Sequence, residues 1–342
     1  MMTVGVAIIG GGIFAREEHL PAVRASKDLT LKAVYSRSLK SAQSLAVDSD
    51  VQLYSDDSGS GKSCADLLKR SDVQAVIIAL PIPKQAEYIR LALSASKHVL
   101  SEKPIAENVK DAQELISWYY ANIDSKKVTW SVAENFRYLA SFEYAREQVQ
   151  KAGRLLGFRA KRYSMVKGGK YFETEWRKNP THQGGFLLDG GVHVTAGLRL
   201  LLGPENTITR LSAFSAQLQK HLPPVDTIDA AMKTKSGATG TFSVSFGTSF
   251  TGYEFNIACE GGTVSLSVFG STVTTVVEGK EEKSVVDDER TGVPPEVRKW
   301  GEALAAGQCN EKQRPEEALA DLELLENMLR SDGEPLDCIL QI

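Results

Sequence analysis

The sequence contains only four cysteines, Cys64, Cys259, Cys309 and Cys338, and none lies close to another. That excludes a C-x-x-C redox motif and the clustered spacing of a zinc centre, so no metal site is expected. Scattered thiols suit a reducing compartment. The formal charge is only −3, which argues against a nucleic-acid partner, because such proteins present a basic face. No apolar run approaches the length of a membrane span. The apolar start, MMTVGVAIIGGGIF, lacks a basic leader and a small-residue cleavage site and runs straight into REEH, so no signal peptide is expected there. Internal repeats and low-complexity tracts are also missing. These absences lead to the expectation of a cytoplasmic protein with neither membrane nor nucleic-acid partners. Hydrophobic residues make up 42% of the 342, enough for a core without covalent staples, in one large domain or two ordinary ones.

What is present is an alternation of strand and helix. VGVAII, VQAVIIAL and KHVL read as strands buried on both faces. AREEHLPAVRAS, LKSAQSLAVDS, CADLLKR, PKQAEYIRLALSAS and VKDAQELISWYYANI read as the helices between strands. This order predicts a doubly wound parallel sheet. After about Ala140 strands dominate. ATGTFSVSFGTS alternates Thr and Ser with Phe242, Val244 and Phe246, as in a sheet with one buried face. YEFNIACEGGTVSLSVF reads as a hairpin, and PEEALADLELLENMLRSDGE as a late helix. The predicted organisation is a first domain over residues 1–125 and a second over residues 126–342, whose C-terminal helix packs back on the first.

IIGGGIFA gives Gly10, Gly12 and Ala15 a G-x-G-x-x-A spacing between the first strand and first helix. There Gly10 allows a tight turn, Gly12 lets the backbone approach a pyrophosphate, and the helix start favours its charge. Ile13 and Phe14 belong to the same loop, and Leu80 and Pro81 close the fourth strand; all are candidate cofactor contacts. The second strand ends with Ser36 and Arg37 where an NAD site usually carries an acid. Arg37 is a planar donor able to stack on adenine and pair with a 2′-phosphate, so NADP is the expected cofactor. The fifth strand ends with Glu102, Lys103 and Pro104. Side chains there face the crevice at the carboxyl edge of the sheet, which would put Lys103 near a nicotinamide.

SEKPIA, GGFLLDGGVHVTAGLRLLLG, ENFRY and EWRKNP, in this chain's order of SEKPIA, ENFRY, EWRKNP and then the glycine-rich segment, resemble the motifs of the Gfo/Idh/MocA oxidoreductase family. The resemblance covers most of the chain. It implies a dinucleotide-binding Rossmann domain followed by an α/β domain with a large, mostly antiparallel open sheet. It also implies hydride transfer between a nicotinamide and a sugar, polyol or related carbonyl compound, and a homodimer paired through the open sheet. By resemblance, Lys103 is the catalytic lysine, Asp189 and His193 are catalytic and substrate-binding, and Trp176 and Arg177 lie near the cofactor. Asn135 and Arg137 match the family's N-x-R-Y and are read equally as structural links. On a helix, Asp189 and His193 share a face one turn apart; alternatively Asp189 is the N-cap, since Gly190 and Gly191 weaken the helix start. Two positions depart from the family: Ala196 stands where many members have an aspartate, and Gln85 where many have a histidine. The competing readings are a non-catalytic dinucleotide-binding regulator resembling the galactose-pathway repressor, and an NAD-dependent glycosidase, which the Ser36–Arg37 pair disfavours.

Overall fold

The computed structural model describes residues 3–45 and 48–342. Met1 and Met2, in the apolar start, and Ala46 and Val47, in the second expected helix, lie outside the described residues. Internal contacts divide the chain into two units. One comprises Met1–Asn135 and Arg290–Ala318, the other Phe136–Glu289 and Leu319–Ile342.

The first unit is built on strands β1 (Val4–Ile9), β2 (Leu29–Ser36), β3 (Gln52–Ser55), β4 (Ala75–Ile78), β5 (His98–Glu102) and β6 (Trp130–Ala133). They form one sheet in the order β3-β2-β1-β4-β5-β6, and every neighbouring pair is parallel. Residues Val6 to Ile9 and Ala75 to Ile78 are fully buried, as continuous apolar runs in a doubly covered sheet should be. The order reverses between β1 and β4, and ligands bind outside the carboxyl ends of strands at such a switch point.

Helices α1 (Leu20–Ala25), α2 (Leu39–Gln43), α3 (Cys64–Leu68), α4 (Ile82–Ser94) and α5 (Val109–Asn122) connect the strands. Each of α2, α3 and α5 starts at a side-chain cap, from Ser38, Ser63 and Asn108. These are residue types whose short polar side chains satisfy an unpaired helical N–H. A π turn, Ala15–His19, precedes α1. Pro21 has no N–H to give the carbonyl of Glu17, and Arg290 Nη2 donates to that oxygen instead, at 3.2 Å.

The second unit contains α6 (Ala140–Lys151), β7 (Leu155–Met165), α7 (Glu175–Lys178), α8 (Gly185–Leu202), β8 (Ile208–Ala216), β9 (Thr227–Thr234), β10 (Thr239–Ser245), β11 (Gly247–Cys259), β12 (Gly262–Ser267), β13 (Thr272–Val277), β14 (Lys280–Val285) and the short β15 (Leu336–Asp337). Its nine-stranded sheet runs β14-β13-β12-β11-β7-β10-β9-β8-β15. Among the described residues of this sheet only β7 and β10 pair in parallel. In β10, Phe242 and Val244 are fully buried, as the alternation predicts.

Two observations stand beside the sequence reading. The contact division falls at Asn135, where the expected boundary was residue 125, and the chain returns to the first unit at Arg290. Helix α9 (Val293–Ala305) belongs to the first unit, because Val293, Val297 and Trp300 are buried in one apolar cluster with Val6, Ile8, Ala22 and Leu29. Second, an 18-residue helix of membrane-crossing length and apolarity does exist, α8, with a mean hydropathy of 1.2. Because 67% of it is buried inside the protein, it reads as a core helix. The last long helix, α10 (Pro315–Arg330), ends ahead of Gly333, whose φ is +85°.

Candidate active site

In the first unit the glycine loop leaves β1 at the switch point. Gly10 has φ +128°, and a Cβ there would lie 2.2 Å from the carbonyl oxygen of Ala79. Only glycine fits. Gly12 is different: a Cβ built on it meets nothing within 4 Å. Here the backbone borders open space, which is what close approach of a pyrophosphate requires. Ala15 is buried and lets the helix sit on the sheet. The residues present therefore fit a dinucleotide, whose phosphates the open backbone at Gly12 leaves room for.

The test of this assignment is a pair of substitutions. Gly12→Val is expected to cut cofactor affinity by roughly a hundredfold while the melting temperature of the cofactor-free protein stays within about two degrees, since the side chain enters open space. Gly10→Ala is expected to destabilise the fold itself, as both its φ and its neighbour oppose a side chain. A Gly12→Val protein that binds cofactor normally excludes the loop from the site.

Ser36 is buried at the end of β2 and Arg37 beyond it is exposed. Arg37 has no carboxylate partner among the described residues. The neighbouring acid, Asp57, accepts from Ser55 Oγ at 2.6 Å and from the Leu39 N–H at 2.7 Å. Those two bonds hold its carboxyl below the usual carboxylate range.

At the end of β5, Glu102 Oε1 is 2.6 Å from His19 Nε2. His19 is fully buried, on the π turn, and its Nδ1 has no partner among the described residues. The tautomer with its proton on Nε2 therefore suits it best, donating to Glu102. Sequence reasoning missed His19; a histidine on the inner face of the first helix was the available signal. Lys103 follows directly, half-buried, and the Lys103–Pro104 peptide is cis. Leu80 and Pro81 lie between β4 and α4 at the same edge of the sheet. Gln85, on α4, is buried with neither amide atom paired among the described residues.

In the second unit, α8 begins at Gly185 behind an N-cap at Gly184, whose φ is +73°. Asp189 is thus in the second turn of the helix and is not its cap, which corrects that alternative. Gly190 after it serves packing: a Cβ there would lie 2.7 Å from the ring of Phe246. Asp189 is buried, and Arg177 Nε donates to its Oδ2 at 2.8 Å. The Arg177 guanidinium also lies over the Trp176 ring, 4.1 Å from its centroid. His193, one turn on, stacks on Phe136 with centroids 4.6 Å apart and planes 18° apart. The W-R pair and the D-x-x-x-H pair are thus brought together by the Arg177–Asp189 bond.

Arg137 falls to the structural reading. It is buried and paired with Asp321, which also takes a bond from Arg199 at 2.7 Å. Asp321 is 1% exposed; two arginines balance a carboxylate that would otherwise be costly to bury. Asn135 donates to the Thr291 carbonyl.

An open glycine cradle at the reversal point of a parallel sheet is the arrangement of a Rossmann-type dinucleotide-binding protein. Comparison with known proteins narrows that class. Residues 4–129 match the oxidoreductase family, NAD-binding Rossmann fold, and residues 146–335 match the oxidoreductase family, C-terminal alpha/beta domain. The chain belongs to the Gfo/Idh/MocA family and is an NAD(P)-dependent oxidoreductase. It is 42% identical over 339 residues to dehydrogenase FPY6 of Fusarium mangiferae, covering 96% of each chain. An oxidoreductase of Thermotoga maritima, 30% identical, superposes with a TM-score of 0.86 over 98% of this chain and 99% of that one. KijD10, a 3-ketoreductase of Actinomadura kijaniata solved with NADP and TDP-benzene, shares the fold at 20% identity, with a TM-score of 0.80 over 96% and 98% of the two chains.

Proposed function

We propose that this protein is an NADP-dependent oxidoreductase acting on the carbonyl or hydroxyl group of a sugar, polyol or similar small molecule, with Lys103 moving the proton. The observation that carries this reading is the position of Lys103. It sits at the carboxyl end of β5, on the edge of the sheet where the loop at Gly12 is open. The relative at 42% identity bears the name dehydrogenase, which agrees.

The nicotinamide, when bound, supplies or accepts the hydride. The protein's own share is position, charge and the proton. In the reducing direction the substrate oxygen gains negative charge. The Lys103 ammonium stabilises that charge and gives up a proton to it; in the oxidising direction the lysine takes the proton. His193, held flat by Phe136, offers one ring nitrogen as donor and the other as acceptor. Asp189, oriented by Arg177, accepts from a substrate hydroxyl. Glu102, oriented by His19, steadies the strand end from which Lys103 projects.

The choice of NADP rests on Arg37, an exposed cation without a carboxylate partner among the described residues, where an NAD site would present an acid. NADPH is expected to bind at least tenfold more tightly than NADH, and Arg37→Asp to abolish or reverse that ratio. Fluorescence titration of both cofactors against both proteins measures it. Tighter NADH binding by the unaltered protein contradicts the assignment.

A further inference from the structure

A cation in the second unit has no role in the account so far. Arg162 lies on β7, on the face that the strand alternation gives to Phe158 and Ala160, both buried. Three aromatic rings enclose its guanidinium. The centroid of Tyr253 is 5.0 Å away, that of Phe269 5.2 Å and that of Phe246 5.6 Å. Its hydrogen bond runs from Nη1 to the carbonyl of Tyr163, at 3.0 Å. No carboxylate partners it among the described residues. Burial pushes its pKa down, with Tyr253 opposing, yet an arginine stays charged in a protein. The site therefore holds a partly buried positive charge, and most of its five N–H donors make no bond to other described residues.

Ser164 is the next residue on the same face of β7. Its Oγ is buried and has no partner among the described residues. Buried polar groups in folded proteins are nearly always paired. Arg162 and Ser164, two residues apart on one face of β7, together offer an acceptor a charged fork and a buried hydroxyl. Ring contacts link the pair to residues already assigned to the substrate. Tyr253 lies 5.8 Å from Phe136, the ring on which His193 stacks. Phe246 packs under α8 at Gly190, between Asp189 and His193. Phe269, one wall of the cage, is 60% exposed, so a small molecule can reach it.

We propose that Arg162 and Ser164 bind an anionic group, a carboxylate or a phosphate, on the substrate that Asp189 and His193 hold. The inference rests on the proposed function of that site and narrows it: the substrate is an acid or a phosphate ester, not a neutral sugar or polyol. The guanidinium fork matches either anion with paired hydrogen bonds. The apolar rings lower the local dielectric, which strengthens the attraction. A purely structural arginine, stacked to fill the space among the rings, predicts no preference for charge.

The experiment is calorimetric titration of three probes, D-glucose, D-glucuronate and D-glucose 6-phosphate, into the unaltered protein, Arg162→Met and Arg162→Lys, with and without saturating NADPH. One charged probe is expected to bind at least tenfold more tightly than glucose, and which one it is separates carboxylate from phosphate. Arg162→Met is expected to erase the difference while NADPH affinity stays unchanged, and Arg162→Lys to keep part of it. Should Arg162→Met lower the melting temperature enough to unfold, Arg162→Lys carries the comparison. Glucose binding as tightly as both charged probes overturns the proposal, as does a charge preference that survives loss of the arginine. A protein that prefers the charged probe but fails to bind NADPH overturns the proposed function and leaves the anion site standing.

Discussion

Lys103→Ala is expected to lower turnover at least about a hundredfold and to leave NADPH affinity within about tenfold. The split follows from position. The phosphates of the cofactor are assigned to Gly10–Phe14 and its adenosine to Ser36 and Arg37, at the ends of β1 and β2. Lys103 belongs to another strand end. Its removal takes away one charged donor to an oxygen that is charged mainly in the transition state, a loss of roughly 3 kcal/mol of barrier stabilisation. Such a loss appears in kcat more than in KM, because the ground-state substrate carries less charge on that oxygen. The fold is expected to tolerate the change, since Lys103 is half-buried and stands in a loop. Steady-state kinetics together with cofactor titration measure both quantities. Unchanged turnover in a protein that binds cofactor makes the lysine structural.

The second large effect concerns Asp189 and His193. Asp189→Asn keeps the shape of the side chain and removes its charge. Asp189 is buried and accepts from Arg177, so the substitution leaves a partly buried guanidinium without its counter-ion. We expect a loss of roughly 3 kcal/mol of stability, visible as a melting temperature several degrees lower, together with a fall in kcat/KM of about a hundredfold. His193→Asn is expected to lose activity to a similar degree with less loss of stability. The double variant should lose less activity than the two single losses multiplied, because both side chains act on one substrate group. Arg177→Met separates the causes. It breaks the same ion pair, so it reproduces the stability loss and shows how much of the activity loss comes from misplacing Asp189. Full activity in a folded Asp189→Asn protein removes Asp189 from the site, and strict multiplication of the two losses removes its cooperation with His193.

The parallel sheet and its glycine loop were legible because they depend on local features: apolar runs, turn glycines and caps. The position of Lys103 just past β5 was legible for the same reason, since the end of a buried strand is marked in sequence. The return of α9 to the first unit was not, because an amphipathic helix shows that it has an apolar face without naming what covers it. Arg177 and Asp189 were both singled out, but their bond depends on how α7 sits against α8, and no sequence spacing encodes that. The capping role allowed for Asp189 failed because Gly184 and Gly185 start the helix earlier; Gly190, after Asp189, admits Phe246. Arg162 was invisible because its three rings, Phe246, Tyr253 and Phe269, come from a stretch of chain far beyond β7, brought beside it by the pairing of β11 with β7. His19 was hidden in another way: its partner, Glu102, lies 83 residues further along.

The central claim, that this chain transfers a hydride and does not merely bind a dinucleotide, is tested most directly by isotope transfer. The protein is incubated with NADPH deuterated at the transferable position of nicotinamide C4 and a panel of neutral and acidic keto and aldehydo sugars, and the products are weighed by mass spectrometry. One deuterium is expected on the reduced carbon of at least one acidic product, forming at least about a hundredfold more slowly with Lys103→Ala. Binding of NADPH with no deuterium transferred to any member of the panel contradicts it and favours the non-catalytic regulator.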